Sequence, residues 1–138
     1  MCVVWNRYRS NNEYLTALTT ELASAFRAAV PHGQLSFCVQ IWPDAYPKQI
    51  PYPSHSAYNF QALAEQLDFL IPMAYDMYTD ETWSGTDWNP HANCPFPGLV
   101  AAQQQFHAVG VAPSKLVLAL PWYGYDFPCS NNSICSAE

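Results

Sequence analysis

An apolar run over residues 67–76, Leu-Asp-Phe-Leu-Ile-Pro-Met-Ala-Tyr-Asp, most constrains the fold of this chain. A short apolar run bounded by polar residues is typical of a β-strand buried on both faces, as in a parallel sheet. The run ends in Tyr75 and Asp76, a hydroxyl donor and a carboxylate acceptor. A second run, over residues 115–126, also passes from an apolar stretch to aromatic and acidic side chains. Because functional groups collect at the carboxyl ends of parallel strands, the two runs predict one polar, aromatic-walled site.

Helical and strand patterns alternate along the chain. Apolar spacing of three and four residues predicts helices over residues 10–30, 60–67 and 99–109. Alternating or continuous apolar residues predict strands over residues 35–42, 69–75 and 116–121. This order predicts an α/β fold with a parallel sheet of about three strands. Three such strands leave two apolar edges exposed, so the sequence indicates a piece of a larger fold.

Three local features sharpen the predicted elements. In the first helix, an inner apolar face is expected from Leu15, Leu18, Leu22, Phe26 and Ala29. Gly110 is the expected end of the third helix. Pro72 lies within the second strand and lacks a ladder donor, so it is expected at a bulge or at a sheet edge.

Composition limits the function classes. With 138 residues, 50% of them apolar, the chain is long enough for one modest domain. A net charge of −6 and only five Lys and Arg argue against a nucleic-acid surface. No apolar stretch reaches the roughly 18 residues that a membrane span needs. Phosphate loops, nucleophile elbows and complete metal motifs do not occur, so no cofactor and no metal are expected.

The cysteines bear on the compartment. Cys129 and Cys135 enclose a short polar loop that a disulfide could close, and Asn131 in that loop begins an N-glycosylation pattern. Both features favour an oxidising, secretory compartment. The residues before Arg7 are too few for a signal peptide, however. The pairing of Cys2, Cys38 and Cys94 stays open.

Residues 73–76, Met-Ala-Tyr-Asp, match the Met-x-Tyr-Asp signature of family 18 glycoside hydrolases, the chitinase family. Residues 120–126, Leu-Pro-Trp-Tyr-Gly-Tyr-Asp, and the cysteine loop after them resemble the lysosomal, chitobiase-like members of that family. The resemblance implies a (β/α)8 TIM barrel, of which residues 1–138 would be a fragment of a single catalytic domain. The three strands would then be the fifth, sixth and seventh of the barrel. A lysosomal or extracellular location is implied as well.

The resemblance also implies a substrate, an oligosaccharide containing β-1,4-linked N-acetylglucosamine, and a mechanism. In this family the substrate's own acetamido oxygen attacks the anomeric carbon with overall retention, outside the usual two-carboxylate scheme. Tyr75 would support catalysis by holding the acetamide, and Asp76 by accepting from a sugar hydroxyl or by supporting the catalytic acid. Further contacts with sugar are expected from Met73, Gln40, Trp42, Trp122, Tyr123 and Asp126. Each of these aromatic side chains has a plain alternative role in packing.

The sequence lacks the motif that carries the family's catalytic acid. The family's fourth strand carries Asp-x-x-Asp-x-Asp-x-Glu, whose glutamate protonates the leaving oxygen, and no such motif occurs in this sequence. The chain by itself is therefore expected to be catalytically silent, and its standing as an enzyme is open. Two alternatives remain: a non-catalytic, chitin-binding lectin, and a truncated gene product without a stable fold.

Overall fold

Helices and strands alternate in the computed structural model, which describes residues 12–43, 58–77 and 92–125. The elements are α1 (Asn12–Ala29), β1 (Ser36–Gln40), α2 (Phe60–Gln66), β2 (Phe69–Met73) and α3 (Phe96–Ala108), followed by a single 3₁₀ turn at Pro113–Lys115. Each predicted helix and the first two predicted strands are present, with shifts of a few residues at their ends. The largest shift is at α3, which begins three residues early because prolines are well tolerated in the first turn of a helix.

The two strands form a parallel sheet. Ser36 lies opposite Phe69, and Gln40 lies opposite Met73. This pairing confirms the parallel arrangement and places the carboxyl ends of both strands at one edge. Asp68 joins the strands at the opposite end, where its carboxylate accepts a hydrogen bond from the Leu35 amide at 2.7 Å. The amide of Asp68 in turn donates to the Leu35 carbonyl at 2.9 Å.

The prediction of a regular third strand over residues 116–121 is wrong in its extent. The segment meets β2 through two separate parallel bridges, Leu70 with Leu116 and Met73 with Ala119. Pro72 accounts for the gap between them. Its carbonyl accepts from the Ala119 amide at 3.0 Å, so the side of Pro72 that would carry an amide hydrogen also faces this segment. Pro72 therefore has a strand neighbour on each side, and the lost donor interrupts the second ladder.

The buried face of α1 differs from the expected one. Thr19 and Ala23 are buried and Leu15 and Phe26 are half-buried, whereas Leu18, Leu22 and Ala29 are exposed. α1 contacts α2. The Thr19 hydroxyl is satisfied within α1, where it donates to the Leu15 carbonyl at 2.8 Å. The prediction from hydrophobicity is therefore right for Leu15 and Phe26 and wrong for Leu18, Leu22 and Ala29.

Within the described residues, two apolar clusters make up the core. The larger lies between the sheet and the helices and is built from Val39, Phe60, Leu63, Ala64, Leu67, Leu70, Phe106 and Val111. The smaller lies near the carboxyl end of the strands and contains Ile41, Trp42, Ala74, Met77 and Ala102. The second cluster supports the backbone from which Tyr75 and Asp76 emerge.

Gly110 ends α3, as predicted. It has a φ of 87°, which only glycine adopts without strain. The Gly110 amide donates to the His107 carbonyl, and the Val111 amide donates to the Phe106 carbonyl, both at 3.0 Å. This is the Schellman arrangement, and it turns the chain back toward the sheet.

Candidate functional site

The candidate site lies where the chain leaves β2. Tyr75 and Asp76 follow Met73 and the buried Ala74, whose amide makes the last ladder bond, to the Ala119 carbonyl at 2.9 Å. Asp76 has a φ of 52° in the left-handed region, which is uncommon for residues other than glycine. Such a conformation at the end of a buried strand redirects the carboxylate, and it often accompanies a functional role.

Two tyrosines donate hydrogen bonds to one oxygen of Asp76. The Tyr123 hydroxyl lies 2.6 Å from Oδ1 of Asp76, and the Tyr125 hydroxyl donates to the same atom. Bonds from a neutral donor to an ionised carboxylate are short and roughly twice as strong as bonds between neutral groups. The Asp76 side chain, which follows β2, is therefore held in place by Tyr123 and Tyr125, which follow the 116–121 segment.

The same hydrogen bonds change the acidity of both phenols. Donation to Asp76 raises the pKa of Tyr125 from 10.0 to about 12, with smaller contributions from desolvation and from the negative charge of the carboxylate. The pKa of Tyr123 is also raised, first by its bond to Asp76, although hydrogen bonds with Asn93 and Tyr125 oppose the change. Both hydroxyls therefore stay protonated at neutral pH and act as donors.

The rings of three tyrosines extend this cluster. Tyr75 and Tyr123 meet edge to face with 6.4 Å between ring centroids, and Tyr123 and Tyr125 do so at 5.9 Å. Edge-to-face contacts are a favoured arrangement of aromatic pairs. Tyr123 and Tyr125 are each about half exposed, so their rings form part of the surface. The predicted meeting of Tyr75, Asp76 and Tyr123 is thus present in the structure.

Asn93 belongs to the site although the sequence analysis did not single it out. Its side-chain oxygen accepts a hydrogen bond from the Asp76 amide at 2.6 Å, and its side-chain nitrogen donates to the Tyr123 carbonyl at 3.2 Å. Asn93 lies just before α3, far in sequence from both partners. No local pattern pointed to it, because a single asparagine before a helix is typical of an ordinary turn.

The other predicted residues near the sheet occupy different environments. Met73 ends β2 opposite Gln40 and is half-buried. The Gln40 side chain donates to the Trp42 carbonyl at 2.8 Å. Trp42 is only 2% exposed and packs within the smaller cluster, which fits its alternative role in packing. Sugar contacts by these three residues stay predictions.

The aromatic residues over 122–125 have two different environments. Trp122 is fully exposed, whereas Tyr123 and Tyr125, two residues apart, both reach Asp76. Side chains two apart in an extended segment share a face, so this alternation is expected. Asp126, Cys129, Asn131 and Cys135 lie outside the described residues, and so do the predicted glycosylation and disulfide.

No metal site is apparent where the structure can be described: residues 12–43, 58–77 and 92–125 contain no group of three His, Cys, Asp or Glu side chains that could hold an ion. Cys94 has a free thiol whose pKa is raised by burial, which disfavours the reactive thiolate. Across the same residues, no helix is long and apolar enough to cross a bilayer. The chemistry on offer is that of hydroxyls, a carboxylate and aromatic rings, which suits hydrogen bonding and stacking with a neutral polar ligand.

Comparison with known proteins gives concordant results. Residues 3–137 match the model of glycosyl hydrolases family 18. Di-N-acetylchitobiase from Mus musculus is 33% identical over 121 residues, covering 88% of this chain and 30% of the relative. The Homo sapiens protein of that name is 34% identical over 119 residues, covering 86% of this chain and 28% of the relative. The chain thus spans less than a third of the length of these relatives.

Solved structures agree on the fold. A chitinase from Chromobacterium violaceum superposes with a TM-score of 0.62 at 19% identity, over 85% of this chain and 33% of that one. A chitinase from Bacillus thuringiensis gives 0.60 at 16% identity, over 85% and 19%. These likenesses indicate part of a TIM-barrel-like fold. Asp76 and its two tyrosine partners lie near the carboxyl end of the parallel strands. Because the family model matches nearly every residue, this chain belongs to glycosyl hydrolases family 18.

Proposed function

We propose that this chain forms part of the substrate-binding face of a glycosidase acting on β-1,4-linked N-acetylglucosamine oligosaccharides, within a longer protein. One observation carries the proposal: the Asp76 carboxylate, held by Tyr123 and Tyr125, stands beside Tyr75 at the carboxyl end of parallel strands. Family membership supports the reaction class, and the name of the curated relatives supports chitobiose as substrate.

Each group has a role that its chemistry allows. The Tyr75 hydroxyl would donate to the acetamide oxygen as that oxygen attacks the anomeric carbon. Oδ1 of Asp76 already accepts two tyrosine hydroxyls, which leaves Oδ2 to accept a hydroxyl of the sugar. The half-exposed rings of Tyr123 and Tyr125 would pack against the apolar face of a pyranose. Met73, Gln40, Trp42, Trp122 and Asp126 are proposed as further contacts because they lie at or after the carboxyl ends of the predicted strands.

Binding of N,N′-diacetylchitobiose by the 138-residue chain tests this assignment. By isothermal titration calorimetry, Asp76→Ala should weaken binding by about ten- to a hundredfold, because a lost hydrogen bond to a charged group costs about 1.5–3 kcal/mol. Tyr75→Phe should weaken it by less, about two- to tenfold. Tyr14→Phe is the matched control, since Tyr14 is exposed on α1. Equal affinities for all four proteins would contradict the proposal.

Hydrolysis is expected only from the longer protein. General acid–base catalysis is typically worth about 10²–10⁴-fold, and this sequence has no family acid motif. The chain alone should therefore release no 4-methylumbelliferone from a chitobioside. Turnover that survives purification would contradict the assigned roles. A longer protein that binds the sugar but fails to hydrolyse it would favour the lectin alternative.

We also propose a lysosomal or extracellular location, supported by the resemblance, by the pattern at Asn131 and by the loop from Cys129 to Cys135. A fall in apparent mass on treatment with an N-glycosidase, lost in Asn131→Gln, would support it. An unmodified Asn131 in protein recovered from secreting cells would count against it.

A further inference from the structure

Asn93 joins Asp76 to Tyr123, beyond the point where the strand ladder ends. The ladder between β2 and the segment after α3 ends at the bond from the Ala74 amide to the Ala119 carbonyl. Beyond it, the Asn93 side chain accepts from the Asp76 amide and donates to the Tyr123 carbonyl. A planar amide has an acceptor and a donor side by side, so asparagine can make both bonds, whereas an ionised carboxylate supplies no donor.

The backbone of Asn93 adds a third bond to the same place. Its carbonyl accepts from the Met77 amide at 3.1 Å, next to the bond that its side chain makes with Asp76. Asp76 has its left-handed conformation between these two anchors. Left-handed backbone costs free energy in a residue with a Cβ, so it persists where surrounding bonds determine it.

We infer that Asn93 is a positioning residue: its side chain holds Asp76 in the left-handed conformation and sets the 123–125 segment at the distance where both tyrosines reach the carboxylate. Asn93 acts through Asp76 and need not touch the sugar. Its bearing on activity rests on the proposed function, in which Asp76 accepts from the substrate. Its effect on the geometry of Asp76 does not depend on any ligand.

Amide hydrogen exchange, followed by NMR on the 138-residue chain, can isolate the side-chain bond. In Asn93→Ala the Asp76 amide should exchange about tenfold faster, because it loses its acceptor. The Met77 amide bonds to the backbone of Asn93, and the Ala74 amide bonds to Ala119, so both should keep their protection. These two amides are internal controls against general loosening.

Titration of the tyrosines gives a readout that ordinary destabilisation would leave unchanged. In Asn93→Ala the pKa of Tyr125 should fall from about 12 toward 10.0 as its bond to Asp76 is lost. Tyrosinate absorbance after a rapid pH jump measures this value before the chain unfolds. Comparison with Tyr125→Phe identifies the part of the absorbance change that comes from Tyr125. An unchanged pKa of Tyr125, or an unchanged Asp76 exchange rate, would overturn the inference.

Asn93→Asp separates positioning from folding should the alanine variant lose protection at Ala74 and Met77 as well. An aspartate keeps the acceptor for the Asp76 amide but removes the donor to Tyr123. We expect Asp76 to remain protected in this variant, and loss of its protection alone would refute the role of the side-chain oxygen. The proposed function would be refuted if neither the parent chain nor any variant binds N,N′-diacetylchitobiose. In that case the exchange and titration results would still decide the role of Asn93.

Discussion

Among single residues of the described structure, Asp76 combines an unusual backbone conformation with hydrogen bonds to three other side chains. Its backbone is left-handed, its amide donates to Asn93, and its carboxylate accepts from two tyrosines. The Met-Ala-Tyr-Asp motif that contains Asp76 was visible in the sequence. The hydrogen bonds that Asp76 makes with Asn93, Tyr123 and Tyr125 were not. The partners lie 17, 47 and 49 residues further along the chain.

This network predicts a dependence of stability on pH at the alkaline end. The folded-state pKa of Tyr125 lies above its ordinary value, about 12 against 10.0, so the folded chain favours the protonated phenol. Its stabilising contribution is present below pH 10 and is lost as the pH rises through about 12. Urea unfolding across this range should show a steeper loss in the parent chain than in Tyr125→Phe. Parallel curves for the two proteins would contradict this.

Among the secondary-structure elements, the amino-terminal end of the sheet is stabilised by Asp68, which contacts Leu35 and Arg27. Asp68 Oδ2 accepts from the Leu35 amide at 2.7 Å and lies 3.8 Å from the Arg27 guanidinium. Magnitudes separate the two interactions. An exposed ion pair contributes about 0–1 kcal/mol, whereas a half-buried amide that loses its acceptor costs about 1–3 kcal/mol.

We therefore expect Asp68→Ala to lower the free energy of unfolding by about 1–3 kcal/mol, through the unpaired Leu35 amide. Arg27→Ala removes only the ion pair and should cost about 0–1 kcal/mol. Chemical denaturation of both variants gives the comparison. A loss in Arg27→Ala equal to that in Asp68→Ala would show that charge, and not the amide bond, fixes this end of the sheet.

At the scale of the whole molecule, apolar surface remains on both flanks. On α1, Tyr14, Leu18 and Leu22 are 75%, 62% and 54% exposed and lie four residues apart on one face. On the other flank, Val117, Leu118 and Leu120 are exposed beside the interrupted ladder. In barrels, neighbouring helices and strands cover such surfaces, so the isolated chain should associate with itself.

The α1 face gives the test of that expectation. Leu18→Lys combined with Leu22→Lys should reduce self-association in analytical ultracentrifugation while changing unfolding little, since both side chains are exposed. Thr20→Lys with Ser24→Lys is the matched control, because it adds the same charge to α1 and removes no large apolar side chain. If the control disperses the chain equally well, charge repulsion and not apolar contact explains the effect.

Sequence patterns alone are enough to predict the order of helices and strands, the parallel pairing, the end of α3 at Gly110 and the family signature at Tyr75 and Asp76. These features follow from local periodicity, from turn chemistry and from a short motif. The burial of Thr19 and Ala23 on α1, instead of Leu18 and Leu22, became visible only in the folded chain, because it depends on which face of α1 packs against the other elements. The same holds for the interrupted third strand and the role of Asn93, since hydrogen bonds between segments distant in sequence leave no periodic pattern in either one.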